Sequence, residues 1–258
     1  MSTQKKAYQR NRKSTRRLWI WAAGTVTALL LASALYFGLF TENQQPVDLL
    51  LNFQQYHYGA VPEEFDYDAT GSNGPVLTAG RPFWRIYVDK NAPSPEFVLI
   101  QAASLAESDH YPIALLKDVQ AKDVTLSVYL KPMGGDMDKS QGLVWRARDK
   151  DNYYAALASA LDGKLHLIKM VDSQPQEIAS AAIQVAVLFE QQTVTANWGW
   201  YTLKVEAAGT GITVWFDGEK MIEATDKTFT RSGRVGLVTH ADSIAVFDDF
   251  SVQSGNNP

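Results

Sequence analysis

The chain has 258 residues, with 24 lysine and arginine side chains against 28 aspartates and glutamates, and it contains no cysteine. This length suits one large domain with its own core and a smaller appendage. The absence of cysteine excludes a disulfide framework and a lipidated cysteine anchor.

The charges are unevenly spread along the chain. Seven of the cations lie ahead of Leu18, and Glu42 is the first acidic residue. The other 17 cations stand against 28 acidic side chains, so the rest of the chain carries a formal charge of 17 − 28 = −11. This acidic balance excludes a nucleic acid as a partner, because phosphates require a basic surface.

An uncharged apolar run follows the basic segment, from Leu18 to Phe40. It reaches the roughly 20 residues that a membrane-spanning helix needs, and it has aromatic residues toward both ends. The positive-inside rule then places the N-terminus in the cytoplasm. The alternative is a cleaved signal peptide, because Ala32-Ser33-Ala34 has the small-x-small form of a cleavage site.

These features predict four parts of the chain. They are a basic cytoplasmic segment (1–17), a transmembrane helix (18–40), a linker (41–46) and a domain (47–258). We expect a single-pass membrane protein whose C-terminal domain is periplasmic or extracellular, and a secreted domain if the helix is cleaved.

From residue 47 onward the sequence predicts many short β-strands. The runs are rich in β-branched and aromatic residues and are bounded by Gly, Pro, Asp or Asn. They cover residues 47–53, 83–88, 97–100, 124–130, 143–147, 153–161, 164–171, 201–206, 212–216, 220–224, 234–239 and 243–252. Several alternate apolar with polar residues, as a strand with one buried face does. The pattern predicts an all-β domain with two antiparallel sheets packed as a sandwich.

Turns and loops separate these runs. Asp162-Gly163 and Asp217-Gly218 predict tight hairpins. The segments 71–75 and 133–140 read as loops that suit the rim of a binding surface. For residues 179–196 the sequence leaves open a strand pair or a loop excursion.

Four short motifs carry a resemblance to a known family. They are Gly142-Leu-Val-Trp-Arg146, Asp151-Asn-Tyr-Tyr154, Gly233-Arg-Val-Gly-Leu237 and Phe247-Asp-Asp-Phe250. Together they resemble the concanavalin A-like, laminin G-like jelly-roll domains, in particular a bacterial group related to the 3-keto-disaccharide hydrolase domain. The resemblance implies a jelly roll over nearly all of residues 47–252 and a sugar site on its concave sheet.

Parts of the site implied by this resemblance are missing. The related pattern has an arginine and then an asparagine where this chain has Leu157 and Ser159, and another asparagine where it has Lys164. Losing a guanidinium and two amides removes donors that would hold sugar hydroxyls. The matching positions that remain as candidate ligand-binding residues are Trp145, Arg146, Asp149, Asn152, Tyr153, Tyr154, Lys169 and Asp242.

Each candidate also has a structural interpretation. Trp145 suits stacking on a sugar, but on a central strand a core position is favoured. Arg146 and Lys169 suit either a ligand or an ion pair with Asp149 or Asp242. Asp149 and Asp151 have the alternate spacing of a glycosidase pair, yet a turn with Asx hydrogen bonds is the favoured interpretation.

A calcium site is a further expectation from the resemblance. Many concanavalin A-like domains hold one calcium ion near the C-terminal strand, and calcium prefers carboxylate oxygens. Asp248 and Asp249 are the candidate ligands. Strand alternation predicts that they point to opposite faces, so that one of them at most binds directly. The alternative is that both are surface or edge charges.

The four histidines have no metal-ligand spacing, and no catalytic triad is recognisable. The expected function is therefore a membrane-anchored, extracytoplasmic domain that binds a carbohydrate or another envelope component without catalysis. One alternative is a glycoside-processing hydrolase of the 3-keto-disaccharide type. The other is a structural domain that docks an envelope protein.

Overall fold

The structure is a computed structural model that describes residues 46–71, 77–78, 81–102, 109–184, 187–188 and 197–255. For 77–78, 81–82, 187–188 and 197–198 it describes the backbone alone. The predicted cytoplasmic segment, the predicted membrane helix and the linker up to residue 45 lie outside these ranges. Within them, no helix has the length and apolar character that crossing a membrane requires.

The described residues form β-strands and no helix. The strands are β1 (Val47–Leu51), β2 (Phe65–Thr70), β3 (Leu77–Thr78), β4 (Arg81–Pro82), β5 (Trp84–Val88), β6 (Phe97–Gln101), β7 (Tyr111–Ala121), β8 (Val124–Gly134), β9 (Ser140–Asp149), β10 (Asn152–Ser159), β11 (Lys164–Val171), β12 (Gln174–Ala182), β13 (Val187–Leu188), β14 (Asn197–Trp198), β15 (Tyr201–Ala208), β16 (Gly211–Phe216), β17 (Glu219–Thr225), β18 (Gly233–Thr239) and β19 (Ile244–Ser254).

Two antiparallel sheets make up the sandwich. One sheet has the order β17-β16-β15-β8-β19-β6-β5, and β1 also pairs with β19. We call it the first sheet. The second sheet has the order β12-β11-β10-β9-β18-β7-β2. The neighbours β8 and β19, like β9 and β18, are far apart in sequence, which is the crossed connectivity of a jelly roll rather than a meander.

The predicted all-β, two-sheet architecture is therefore confirmed. Asp162-Gly163 lies between the paired strands β10 and β11, and Asp217-Gly218 lies between β16 and β17, as the turn signals predicted. The sequence patterns did not predict β2, β7 or most of β12. The predicted loop at 133–140 is shorter in the structure, because β8 continues to Gly134 and β9 begins at Ser140. For residues 179–196, where the sequence left two alternatives, β12 ends at Ala182 and the short strand β13 pairs with β14.

The core lies between the sheets and is built from alternate residues of the strands. In the second sheet Ala156, Ala158 and Leu167 belong to this core, while Leu157 and Ile168 point to the outer face, where a second apolar cluster lies. This alternation follows from the two-residue period of a strand. It decides which side chains of β10 and β11 are available for a site outside the core.

Glycine in two of the motifs is required by close strand contact. A Cβ on Gly142 would lie 1.7 Å from the Ala156 carbonyl oxygen, and a Cβ on Gly236 would lie 2.0 Å from the Ala114 carbonyl oxygen. Neither distance is sterically possible, so both strands need a residue without a side chain. These glycines sit on β9 and β18, the paired strands at the middle of the second sheet.

Candidate functional site

A cavity of about 330 Å³ opens on the outer face of the second sheet. Its floor comes from β10 and β11, through Leu157, Ser159 and Ile168. The walls come from β7, the segment between β8 and β9, and the residue after β18. The described residues that line it are Tyr111, Met137, Asp138, Ser140, Leu157, Ser159, Leu161, Asp162, His166, Ile168 and His240. A volume near 300 Å³ is at the lower end of small-molecule sites.

Asp138 and His240 form the central polar pair of this cavity. The Asp138 Oδ2 and the His240 Nδ1 share a hydrogen bond. Asp138 Oδ1 accepts hydrogen bonds from the hydroxyls of Ser140, at 2.8 Å, and Ser159, at 3.2 Å. Burial alone would raise the pKa of Asp138, but the hydrogen bonds from His240 and Ser140 outweigh it and lower the pKa. The pair therefore holds an ionised carboxylate beside an imidazole.

Asp242 fixes the segment that carries Asp138. Its carboxylate accepts hydrogen bonds from the backbone N–H groups of Asp136, Met137 and Asp138, at 2.7 to 3.1 Å. Burial opposes ionisation, yet these backbone donors lower the pKa of Asp242. The candidate residue Asp242 therefore lies outside the cavity lining and positions the Asp138 loop instead.

His166 is the second imidazole of the cavity. Its Nε2 lies 2.8 Å from Asp162 Oδ2, and its Nδ1 lies 2.8 Å from Glu177 Oε2. The pairing of Leu157 with His166 across β10 and β11 puts the ring beside the cavity floor. Carboxylates on both ring nitrogens hold the imidazole in a single orientation.

The cavity also has apolar and aromatic surfaces. The Tyr111 ring stacks on the His240 ring with centroids 4.3 Å apart. Burial, with a smaller effect from Asp138, raises the pKa of Tyr111 to about 12, so its phenol stays protonated. Met137 and Leu161, exposed by 47% and 50%, form an apolar rim. Polar groups beside apolar surface suit a ligand that has both hydroxyl and C–H faces.

The structure places Trp145 and Arg146 away from this cavity. The Trp145 ring is fully buried between the sheets and stacks on Tyr154, with centroids 5.7 Å apart. The fully buried Arg146 guanidinium donates to the backbone carbonyls of Lys122, at 2.7 Å, Phe229, at 3.0 Å, and Gly209, at 2.8 Å. Trp145 is thus a core residue, as favoured above, and Arg146 joins three loops.

Lys169 and Tyr154 belong to a network at the other end of the sheet. The Lys169 ammonium lies 2.8 Å from Asp226, and the Tyr154 hydroxyl donates to the other oxygen of Asp226 at 2.6 Å. Burial alone would raise the pKa of Asp226. The hydrogen bonds from Lys169, Thr228 and Tyr154 outweigh this effect and hold the pKa well below its usual range. Lys169 therefore has a structural ion pair, with a different partner from those expected.

The remaining candidates lie in the turn between β9 and β10 and at the start of β10. The Asp149 carboxylate accepts from the Asp151 backbone N–H at 2.8 Å and from the Asn152 side chain at 3.1 Å, which confirms the Asx turn. The buried Tyr153 hydroxyl bonds the Thr70 hydroxyl at 2.8 Å. None of these side chains is among the described residues of the cavity. Their predicted part in ligand binding stays a prediction.

The two candidate calcium ligands meet at one residue. Ser94 donates its backbone N–H to Asp248 at 2.7 Å and its hydroxyl to Asp249 at 2.8 Å. The expectation that they point to opposite faces is wrong, because the β8–β19 register shifts between Asp248 and Ser251 and Asp249 has a φ of 47°. Such a bulge breaks strand alternation.

This arrangement does not fit a calcium ion well. Burial, with smaller effects from the Asp249 and Asp89 carboxylates, raises the pKa of Asp248 to about 7. The second Asp248 oxygen accepts the Asp249 backbone N–H at 2.8 Å. Among the described residues, no group of three or more His, Cys, Asp or Glu side chains converges as metal ligands would. Calcium binding therefore stays a prediction that the geometry does not support.

The comparisons with known proteins agree with the fold. Residues 73–253 match the family described as the 3-keto-alpha-glucoside-1,2-lyase-like domain. The chain belongs to this family. The match includes all four motifs and every described residue of the cavity, so the resemblance stated from the motifs is confirmed. A search of curated proteins found no match.

Three solved structures show what the chain is similar to. The carbohydrate-binding module CBM66 from Bacillus subtilis has 21% identity and a TM-score of 0.50, over 67% of this chain and 96% of that one. Domain 4 of the extracellular arabinanase AbnA from Geobacillus stearothermophilus, solved with arabinotriose, has 12% identity and a TM-score of 0.50, over 82% and 94%. The exoplasmic/lumenal domain of VIP36, in a Ca²⁺/Man2-bound form, has 12% identity and a TM-score of 0.44, over 71% and 85%. The first two likenesses support the jelly-roll fold.

Sequence reasoning found part of the cavity and missed its central pair. The family pattern correctly placed Leu157 and Ser159 on the face that bears the site, and the loop signal marked the segment that contains Asp138. His166 and His240 carried no signal, because neither has metal-ligand spacing and their partners Glu177 and Asp138 belong to other strands or loops. The Asp162 partner of His166 is local, four residues away, but strand register is needed to bring Glu177 to His166 and Asp138 to His240.

Proposed function

We propose that this domain binds a carbohydrate in the cavity on the outer face of the second sheet. The observation that carries the proposal is the convergence of two histidine–carboxylate pairs and two serine hydroxyls on one cavity with an apolar rim. Sugars present hydroxyl groups and C–H faces, and this lining offers partners for both. The family's description and the carbohydrate-binding module and arabinotriose complex among the similar folds support the same ligand class.

A glycan array with the full-length chain tests this proposal. The chain is purified in a zwitterionic detergent, since a sugar-based detergent would compete for the site. Ser159→Tyr, which fills the cavity, is compared with Ser127→Tyr on the first sheet. We expect selective binding that Ser159→Tyr abolishes and Ser127→Tyr retains. If a folded Ser159→Tyr chain binds as the parent does, the cavity is not the site; a blank array contradicts carbohydrate binding.

The Asp138–His240 pair favours a second candidate function, a glycoside-processing enzyme of the 3-keto type. A histidine oriented by a carboxylate is a common proton-transfer group. The pair lines a cavity that accommodates a small ligand, and the family description names a lyase of 3-keto-α-glucosides. Incubating the full-length chain with a 3-keto-α-glucoside and following product release by chromatography separates the two functions. Turnover that His240→Ala removes supports the enzyme, and binding without turnover supports the module.

We further propose that the helix predicted at 18–40 anchors the domain outside the cytoplasm. The support is the uncharged run itself and the basic segment before it. Anchoring would raise the local concentration of the domain for ligands of the envelope. Membrane fractionation and protease digestion of intact cells test it. Recovery of a soluble chain that begins near Leu35 would show cleavage instead.

A further inference from the structure

The cavity has an excess of negative charge. Asp138 and Asp162 line it, and the Glu177 carboxylate shares a hydrogen bond with the Nδ1 of His166. Three carboxylates therefore stand against two imidazoles. The Lys164 ammonium lies on the same face of β11 as His166, opposite Ser159, and adds one positive charge beside the cavity. The balance is therefore −3 + 1 = −2 with both imidazoles neutral and reaches zero only when both are protonated.

No lysine or arginine is found among the described residues that line the cavity. Lys139 follows Asp138 in the chain, but its ammonium donates to the Gly135 carbonyl within the same loop. The apolar surfaces of Leu157 and Ile168 lower the local dielectric, which strengthens charge interactions with a bound ligand. A carboxylate or phosphate on the ligand would meet the Asp138 and Asp162 carboxylates with no cationic side chain in the described lining, although Lys164 lies beside it.

We infer that the cavity selects sugars by charge: it takes neutral and ammonium-bearing sugar rings and rejects uronic acids and sugar phosphates. This inference rests on the proposed carbohydrate site and names its ligand class. An ammonium group on the ring gains from Asp138 and Asp162, and uncharged hydroxyls find acceptor oxygens and the Ser140 and Ser159 hydroxyls. The expected order of affinity is amino sugar, then neutral sugar, then uronate.

The test uses a matched series of methyl glycosides in the gluco and galacto configurations. Each configuration is supplied as the neutral sugar, the 2-amino sugar and the uronate. Binding to the full-length chain is measured by saturation-transfer NMR titration at low and at high salt. We expect the uronate to bind at least tenfold more weakly than the neutral sugar, with a difference that shrinks as salt screens the charges.

Two leucine variants control the charge argument. Leu161 lies on the cavity rim and is 50% exposed, whereas Leu50 lies on β1 and is 60% exposed. Both positions accept a lysine without disturbing the core. Leu161→Lys supplies the missing cation, so we expect it to improve uronate binding several-fold and to weaken amino-sugar binding. Leu50→Lys adds the same charge elsewhere and should leave both unchanged.

The outcomes separate the two claims. If the neutral sugar and the uronate bind equally, the charge inference is overturned while the carbohydrate site stands. If both leucine variants shift the preference alike, net protein charge and not the cavity is responsible, and the inference is again wrong. If no member of the series binds, the proposed function fails and the inference fails with it.

Discussion

The Asp138 carboxylate and the His240 imidazole are 102 residues apart in the chain and share a hydrogen bond in the cavity of the second sheet. Asp138 comes from the segment before β9, and His240 follows β18. Because β9 and β18 are paired antiparallel neighbours, the start of β9 lies beside the end of β18, and the two residues meet there. The Ser140 and Ser159 hydroxyls hold the carboxylate in place. The pair is therefore a product of strand order.

The lowered pKa of Asp138 predicts a pH-dependent stability. A carboxyl group whose folded pKa lies below its unfolded value of about 3.9 stabilises the fold above that pH, and the stabilisation is lost as the pH falls through the folded pKa. Asp138→Asn should lower the free energy of unfolding at pH 7 by about 1 to 2 kcal/mol. Denaturant titrations at pH 7 and pH 3 measure this. Asp48→Asn on exposed β1 is the control, and an equal loss at both pH values would contradict the prediction.

Asp248 should give the opposite pH dependence. Its pKa of about 7 exceeds the unfolded value, so its contribution to stability is present at acidic pH and is lost as the pH rises toward and through 7. Asp248→Asn keeps the shape without the charge. We expect the free energy of unfolding of the variant, measured against that of the parent, to rise by about 1 kcal/mol or more from pH 5 to pH 8. One pKa unit corresponds to about 1.4 kcal/mol. A pH-independent difference in thermal unfolding would show that Asp248 ionises normally.

The same Asp248 variant tests the calcium prediction. A calcium site there would need the Asp248 and Asp249 carboxylates, yet Ser94 already donates to both. We expect calcium or a chelator to leave the melting temperature of the full-length chain unchanged. An increase with calcium that is absent from Asp248→Asn would establish the metal site against this expectation.

Arg146 should be required for stability. Its guanidinium bonds three backbone carbonyls that lie in three different connections, and it is fully buried. Replacing it with methionine leaves those carbonyls without their donor, so Arg146→Met should cost about 3 kcal/mol or more. Arg85→Met removes an exposed arginine on β5 and should cost little. Similar denaturant midpoints for the two variants would mean that Arg146 does not hold the loops.

The motif glycines give a steric prediction. Gly236→Ala places a methyl group 2.0 Å from the Ala114 carbonyl oxygen, so β18 and β7 must separate. We expect a loss of about 2 kcal/mol or more, because overpacking forces backbone shifts. Gly211→Ala has its nearest contact at 3.4 Å and is the matched control. Thermal unfolding of both variants decides whether the motif glycine is a packing requirement.

The sequence alone determined the all-β class, the two hairpins and the family, because each follows from local information. Strand alternation and Asp-Gly turns are read within a few residues, and two of the four motifs contain a glycine, Gly142 or Gly236, that close strand contact requires. The segment 18–40 is predicted to span a membrane from its composition alone. The family pattern also placed Leu157 and Ser159 on one face of the sheet, and the structure puts both in the cavity lining, because alternation continues along β10.

Only the tertiary structure decided which polar residues meet. Trp145 follows the alternation into the core, whereas the positive φ of Arg146 and Asp249 breaks it and turns Arg146 to the loops and Asp249 toward Ser94. His240 reaches Asp138 because β18 and β9 are neighbours. Strand order and bulges depend on contacts between residues distant in sequence, and no local pattern encodes them. The cavity and its charge therefore emerge only when the second sheet is assembled.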